Sequence, residues 1–185
     1  MSTVPCPAAD GSSERRTSFP AEPEMCIDVS KRYTATIETS EGTMVVALDA
    51  VAAPKTVNSF VYLARYHYYD GLTFHRIIPG FVLQGGCPEG TGRGGPGYRF
   101  ADELPAPGRY QIGSLAMANA GPDTNGSQFF VISGPDGVRL PPAYALFGAV
   151  VKGGEVVETI DQLGSPSGAP TKPVRIESIT ITEAD

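Results

Sequence analysis

Two stretches of the chain bring together residue types that can do chemistry as a set. The first is Phe74-His75-Arg76-Ile77-Ile78-Pro79-Gly80-Phe81-Val82-Leu83-Gln84-Gly85-Gly86. The second is Met117-Ala118-Asn119-Ala120-Gly121-Pro122, continuing to Asn125-Gly126-Ser127-Gln128-Phe129-Phe130. Each sets a charged or amide side chain among bulky apolar residues, and each is bounded by Gly or Pro, which fix sharp changes of chain direction. An arginine, amides and phenylalanines suit a surface that grips an apolar ring and a peptide backbone at once. Arginine keeps its proton in proteins, so its contribution is electrostatic and not proton transfer. Other chemistries fit poorly. His67 and His75 are the only histidines, and Ser127 lies outside any G-x-S-x-G turn, so a hydrolytic triad is not expected. No C-x-x-C or Cys/His spacing occurs, so no metal is expected. Gly90-Thr91-Gly92-Arg93-Gly94-Gly95 fits G-x-G-x-x-G, but Pro96-Gly97 follows at once and leaves no helix N-terminus for a pyrophosphate; no cofactor is expected. That stretch reads instead as a flexible loop near the site.

These residues need a rigid frame, and the pattern supplies short strands. Tyr33, Ala35 and Ile37 alternate before Ser40-Glu41-Gly42, and Met44, Val46 and Leu48 after it, a hairpin signal. Pro54 sits where a helix would begin, with Val57, Phe60, Val61 and Ala64 forming one apolar face. Strand-like runs follow at Thr73–Ile77, Phe81–Gln84, Ile112–Ala118, Gln128–Ile132 and Ala145–Val151. Val156, Val157, Ile160 and Leu163 give a second helix ended by Gly164, and Val174–Ile181 alternates as a last strand. Strand runs with two isolated helices favour an antiparallel closed sheet capped by helices over a βαβ repeat. One point resists the pattern: Phe81 and Gln84 are three apart, so regular alternation would put them on opposite faces unless a bulge intervenes.

Composition agrees with one domain plus a decoration. Gly and Pro number 22 and 17 of 185 residues, punctuation that argues for many short elements and against a helical bundle. Residues 1–30 read as an irregular Pro/Ser-rich extension, and residues 31–185 as the domain. The extension carries five acids against Arg15 and Arg16, leaving only −3 of the net −6 for everything else. A nearly neutral domain without a basic cluster is not expected to bind nucleic acid. No apolar run approaches the ~20 residues of a membrane helix, so no membrane segment is expected in this chain. Cys6 and Cys26 flank the extension and can either pair or stand as free thiols. With no signal peptide in the sequence as it stands, the cytoplasm is the expected compartment. A Cys6–Cys26 disulfide would point to an extracytoplasmic one. A monomer is the default expectation.

Together the two stretches resemble the signature blocks of the cyclophilin family of peptidyl-prolyl cis-trans isomerases, and the resemblance runs from about Tyr33 to Ile181. It implies a mainly β fold, an eight-stranded closed antiparallel barrel with a helix over each end. It implies rotation of Xaa-Pro bonds in proline-containing peptides and in unfolded or folding proteins. Arg76 resembles the family's catalytic arginine, acting with Phe81, Gln84 and Phe130. Phe81 and Phe130 would line the slot for the proline ring. Gln84 (through its amide), Asn119 (through main-chain groups) and Gln128 would hold the substrate backbone. His75, Val82, Ala118 and Ala120 complete the implied substrate-binding set, with Leu140 and Tyr144 walling the pocket. The segment Leu140-Pro141-Pro142-Ala143-Tyr144-Ala145-Leu146-Phe147-Gly148 departs from the eukaryotic pattern, which carries a tryptophan where this chain has Arg139 or Leu140 and a histidine where it has Tyr144. Weak binding of cyclosporin-type ligands is the expectation without that tryptophan. Cys87 stands where many members have aspartate.

Overall fold

The computed structural model describes residues 3–185; Met1 and Ser2, which the sequence assigns to the extension, lie outside the described residues. The first hairpin forms as the alternation predicts, with β1 (Arg32–Thr39) antiparallel to β2 (Gly42–Leu48). Then come α1 (Pro54–Arg65), β3 (Arg76–Ile78), β4 (Val82–Gly85), β5 (Ser114–Met117) and β6 (Phe129–Ile132). The chain ends with α2 (Pro135–Val138), β7 (Leu146–Lys152), α3 (Gly154–Asp161) and β8 (Ile176–Ala184). The four-residue α2 was not expected; Pro135 opens it at the position where a missing N–H costs nothing.

The eight strands make one antiparallel sheet in the order β3-β4-β6-β5-β7-β2-β1-β8, curled but not fully closed. The expected closed barrel is corrected here. Among the described residues the edge strands β3 and β8 share no ladder; the isolated bridge Thr73 to Arg175 joins the segments just before them. The reason lies in what pairs with β3. Strand β3 has three residues, and its free side is already occupied: the Ile77 N–H donates to the Gly168 carbonyl, and the Ile77 carbonyl accepts from the Ser165 N–H.

Inside the curl, alternate residues make the main core: Tyr33, Ala35 and Ile37, Met44 and Val46, Ile77, Leu83, Leu115, Phe129 and Val131. Helix α1 lies along β8, and α3 packs against β2, β3 and β4. Sequence periodicity gave α1 one apolar face, yet every residue from Thr56 to Arg65 is buried. Residues 3–31, which contain no helix or strand, cover the other face. Phe19 packs there against Tyr62 and Tyr66, and Cys6 is joined to Cys26 by a disulfide. The N-terminus of α1 has no side-chain cap of its own. Glu103 supplies one from afar, accepting from the Lys55 and Thr56 N–H groups at 3.2 and 2.7 Å and from the Thr56 hydroxyl at 2.8 Å.

Candidate active site

The hairpin of β3 and β4 turns at Pro79-Gly80, and its register places Arg76 opposite Gln84. Gln84 in turn faces Phe130 on β6, and Phe130 faces Ala116 on β5. Because side chains alternate across a strand, Arg76, Gln84, Phe130 and Ala116 form one row on the outer face of the curl. Val82 and Ile132 make the next row on the same face. Apolar residues here form a second small core, in which Val82, Tyr110, Ala116, Phe130 and Ile132 are buried against Phe81, Leu140 and Tyr144.

This outer core surrounds a cavity of about 190 Å³ lined by Arg76, Phe81, Val82, Gln84, Ala118, Asn119, Phe130, Leu140 and Tyr144. Nine of the twelve residues singled out from sequence therefore meet in one place. Phe81 joins Gln84 without any bulge, because it precedes β4 and belongs to the turn, where alternation does not apply. Its N–H donates to the Ile78 carbonyl at 3.0 Å. Leu140, not Arg139, faces the cavity; Arg139 is exposed and pairs with Asp136.

The polar rim is a relay. The Arg76 guanidinium donates to Gln84 Oε1 at 3.2 Å and lies 6.0 Å from the centre of the Phe81 ring. Gln84 Nε2 donates to Gln128 Oε1 at 3.3 Å. Gln128 Nε2 then donates to the carbonyls of Gly92 and Gly94 at 2.9 and 3.0 Å. Gln128 and Ala120 thus lie beside the cavity, in an adjoining open groove of about 730 Å³ walled by Gly92–Arg99 and Gly126–Gln128. His75 lines neither space. Its ring nitrogen Nε2 is beside Gly92, Nδ1 is buried without a partner, and burial together with the Arg76 charge lowers its pKa below 6.5.

Cys87 opens the loop at the relay's far end, its carbonyl accepting from the Gly90 N–H at 3.1 Å. The thiol is buried; burial pushes its pKa up, but the backbone N–H groups of Glu89, Gly94, Thr91 and Gly92 outweigh that and bring it down.

The family model described as "Cyclophilin type peptidyl-prolyl cis-trans isomerase/CLD" matches residues 34–181. The chain belongs to this cyclophilin family. Peptidyl-prolyl cis-trans isomerase A of Mycobacterium tuberculosis is 46% identical over 168 residues, covering 80% of this chain and 92% of that protein. Peptidyl-prolyl cis-trans isomerase B of Bacillus subtilis is 48% identical over 127 residues, covering 68% and 85%. Among solved structures, a Cryptosporidium parvum cyclophilin superposes with a TM-score of 0.76 at 32% identity, covering 83% of this chain and 99% of that one. A second structure of that cyclophilin, determined in the presence of the dipeptide Ala-Pro, gives 0.75 at 34% identity, covering 80% and 98%.

The extension, residues 1–30, stands outside the cyclophilin match. Inside it, sequence reasoning missed two supports of the site, Tyr110 and Gly168, and the side-chain role of Asn119. Tyr110 braces the far wall, donating to the Tyr144 carbonyl at 2.6 Å and accepting from the Tyr144 N–H at 3.1 Å; that orients Tyr144, whose ring meets Phe130 edge-on at 5.4 Å. Asn119 ties the same wall through its side chain, Nδ2 donating to the Ala143 carbonyl at 3.0 Å and Oδ1 accepting from the Gly121 N–H. Gly168 lies against the stem of Arg76: a Cβ there would be 3.0 Å from Arg76 Cγ. Only its place in the turn-rich Ser165-Pro166-Ser167-Gly168 run marks it in sequence, and nothing marks Tyr110.

Proposed function

We propose that this peptidyl-prolyl cis-trans isomerase works by seating the substrate proline ring in the 190 Å³ cavity while Arg76 stabilises the twisted amide. Rotation about a planar Xaa-Pro bond is opposed by roughly 18–20 kcal/mol because resonance gives the C–N bond double-bond character. Halfway through the turn that resonance is lost and the prolyl nitrogen regains a lone pair. A guanidinium held at the cavity rim can donate to that nitrogen, a bond the planar ground state does not offer. The observation that carries this reading is the pairing of Arg76 with Gln84 directly above the apolar row, which fixes a permanent cation beside a ring-sized slot. The neighbouring cyclophilin studied with Ala-Pro supports a proline-containing ligand in such a slot.

The adjoining groove then receives the substrate residues preceding proline, with Gln84 and the main chain at Asn119 holding the peptide backbone. We take the monomer as the working unit. The Cys6–Cys26 disulfide supports an oxidising, extracytoplasmic place of work over the cytoplasm.

The test is NMR exchange between the cis and trans forms of a short Xaa-Pro peptide. Arg76→Ala lowers turnover by roughly 10²–10³, the scale for removing one preorganised transition-state donor, while peptide affinity changes little. Equal losses of affinity and turnover would defeat the assigned role. Binding without accelerated exchange in the wild type would make the domain a proline-peptide binding module.

A further inference from the structure

We infer that the N-terminal extension is part of the substrate groove, with Phe19 positioning the wall segment Pro96–Tyr98. This rests on the reading of the groove as the seat of residues preceding proline.

The wall has little to hold it from within. Gly90, Gly92, Gly94 and Gly95 precede Pro96, and glycine leaves the backbone free to wander, so its geometry must be imposed from outside. Gln128 fixes the first half of the loop. The second half is fixed by the extension. The Phe19 N–H donates to the Pro96 carbonyl at 2.9 Å. At Gly97, φ is +102° and an added Cβ would fall 2.4 Å from the Phe19 carbonyl oxygen, so the two backbones touch with no room for a side chain. The Phe19 ring, only 2% exposed, meets Tyr62, Tyr66 and Tyr98 at 5.0, 5.5 and 6.3 Å between centres. Pro96, Gly97 and Tyr98 all line the groove, and Pro96 is wedged on its other side against Gly126, also a lining residue.

Phe19 is in turn held at a fixed place along α1. The Arg16 N–H donates to the Tyr66 carbonyl at 3.0 Å, and the Tyr66 hydroxyl to the Pro5 carbonyl at 2.7 Å. Asn58 accepts from the Cys26 N–H at 2.7 Å and donates to the Glu24 carbonyl at 2.9 Å. The disulfide ties Cys6 to Cys26 across this loop, so the segment carrying Phe19 is anchored at both ends. A segment that only stabilised α1 would need the contacts to Tyr62 and Tyr66; it would have no use for a backbone contact with the groove wall.

Two substrates separate these roles: a peptide with one residue before proline, and the same peptide extended by three residues on that side. Their kcat/KM ratio is measured for wild type, Phe19→Ala, Phe19→Leu and the Cys6→Ser/Cys26→Ser pair. The wild type favours the longer peptide. In Phe19→Ala the long-to-short ratio falls by roughly five- to tenfold, through KM and not kcat, the loss expected when ordered contacts of a wall are released. Phe19→Leu recovers part of that ratio, and the cysteine pair shifts it in the same direction by a smaller factor. If Phe19→Ala does not fold, the cysteine pair gives the deciding ratio. An unchanged ratio, whether or not both peptides slow together, overturns the inference and reduces the extension to a stabiliser. A wild type indifferent to peptide length sinks the groove reading itself, and this inference with it.

Discussion

Replacing Gly168 by alanine tests whether Arg76 is held in place by what lies behind it. The perturbation has two parts. At φ +89° an L side chain is strained, at a cost of about 1–2 kcal/mol. The new Cβ also meets Arg76 Cγ at 3.0 Å, closer than such contacts tolerate, so the arginine stem must give by a few tenths of an ångström. That shift is levered outward to the guanidinium, whose bond to Gln84 at 3.2 Å is already at the long end of the useful range. Since misplacing a reacting group by about 1 Å can cost about 10²-fold, we expect kcat/KM to fall by about ten- to a hundredfold. Strain alone lowers Tm by roughly 2–8 °C for a chain of this size. Gly108→Ala is the control: its φ is +78°, and nothing lies within 4 Å of an added Cβ. It should lose comparable stability and no turnover. The assay is cis–trans exchange by NMR alongside thermal unfolding of both variants. Unchanged turnover in Gly168→Ala, or equal losses in both variants, would refute the claim that Gly168 positions the arginine.

Gln128→Ala releases the Gly92 and Gly94 carbonyls and should raise KM by about three- to tenfold in saturation kinetics, at ~1 kcal/mol per bond lost, with kcat less affected. Glu103→Ala uncaps α1 and should cost about 1–2 kcal/mol by denaturant unfolding while leaving kcat/KM intact, since Glu103 is outside the cavity and the groove. Burial and Arg76 hold the His75 pKa below its ordinary 6.5, so the unfolded chain binds a proton first as pH falls. The stability due to neutral His75 is present in full above pH 6.5 and is lost as pH drops through the folded pKa. The corresponding slope in pH-dependent unfolding should flatten in His75→Gln; an unchanged slope would assign it to other groups.

Much of the site was legible because its chemistry is local. Arg76, Gln84 and Phe130 lie on short runs whose neighbours identify them, and the register then aligns them in one row. Phe81 escaped the period-two rule only because a turn residue obeys no alternation. The unread parts are those where distant segments meet. Closure of the sheet depends on whether β3 reaches β8, and a loop some ninety residues downstream of β3 decides it by occupying Ile77 first. Tyr110 gave no signal, because a brace is defined by the carbonyl it reaches and not by its own surroundings in sequence. The extension's composition suggested irregularity, which says nothing about where an irregular segment packs. Phe19 is one apolar residue in a polar tract, and only the tyrosines of α1 reveal its place.

The occupied side of β3 would have a consequence if this isomerase acts on partly folded chains. Such clients expose extended segments with unpaired amides and carbonyls, and a bare sheet edge offers them a template for strand addition. A curled sheet that stops short of closure has two edges to hide. At β3, Ser165 and Gly168 fill the main-chain positions a client strand would take. Just before it, Phe74 donates to the Val174 carbonyl, and Gly71 and Leu72 are both bonded to Ile176 at the start of β8. With the backbone of β3 and the start of β8 already paired, a client meeting this side of the sheet would engage the outer face through its proline ring and side chains. Such a client would leave after the bond has turned without first being peeled from β3.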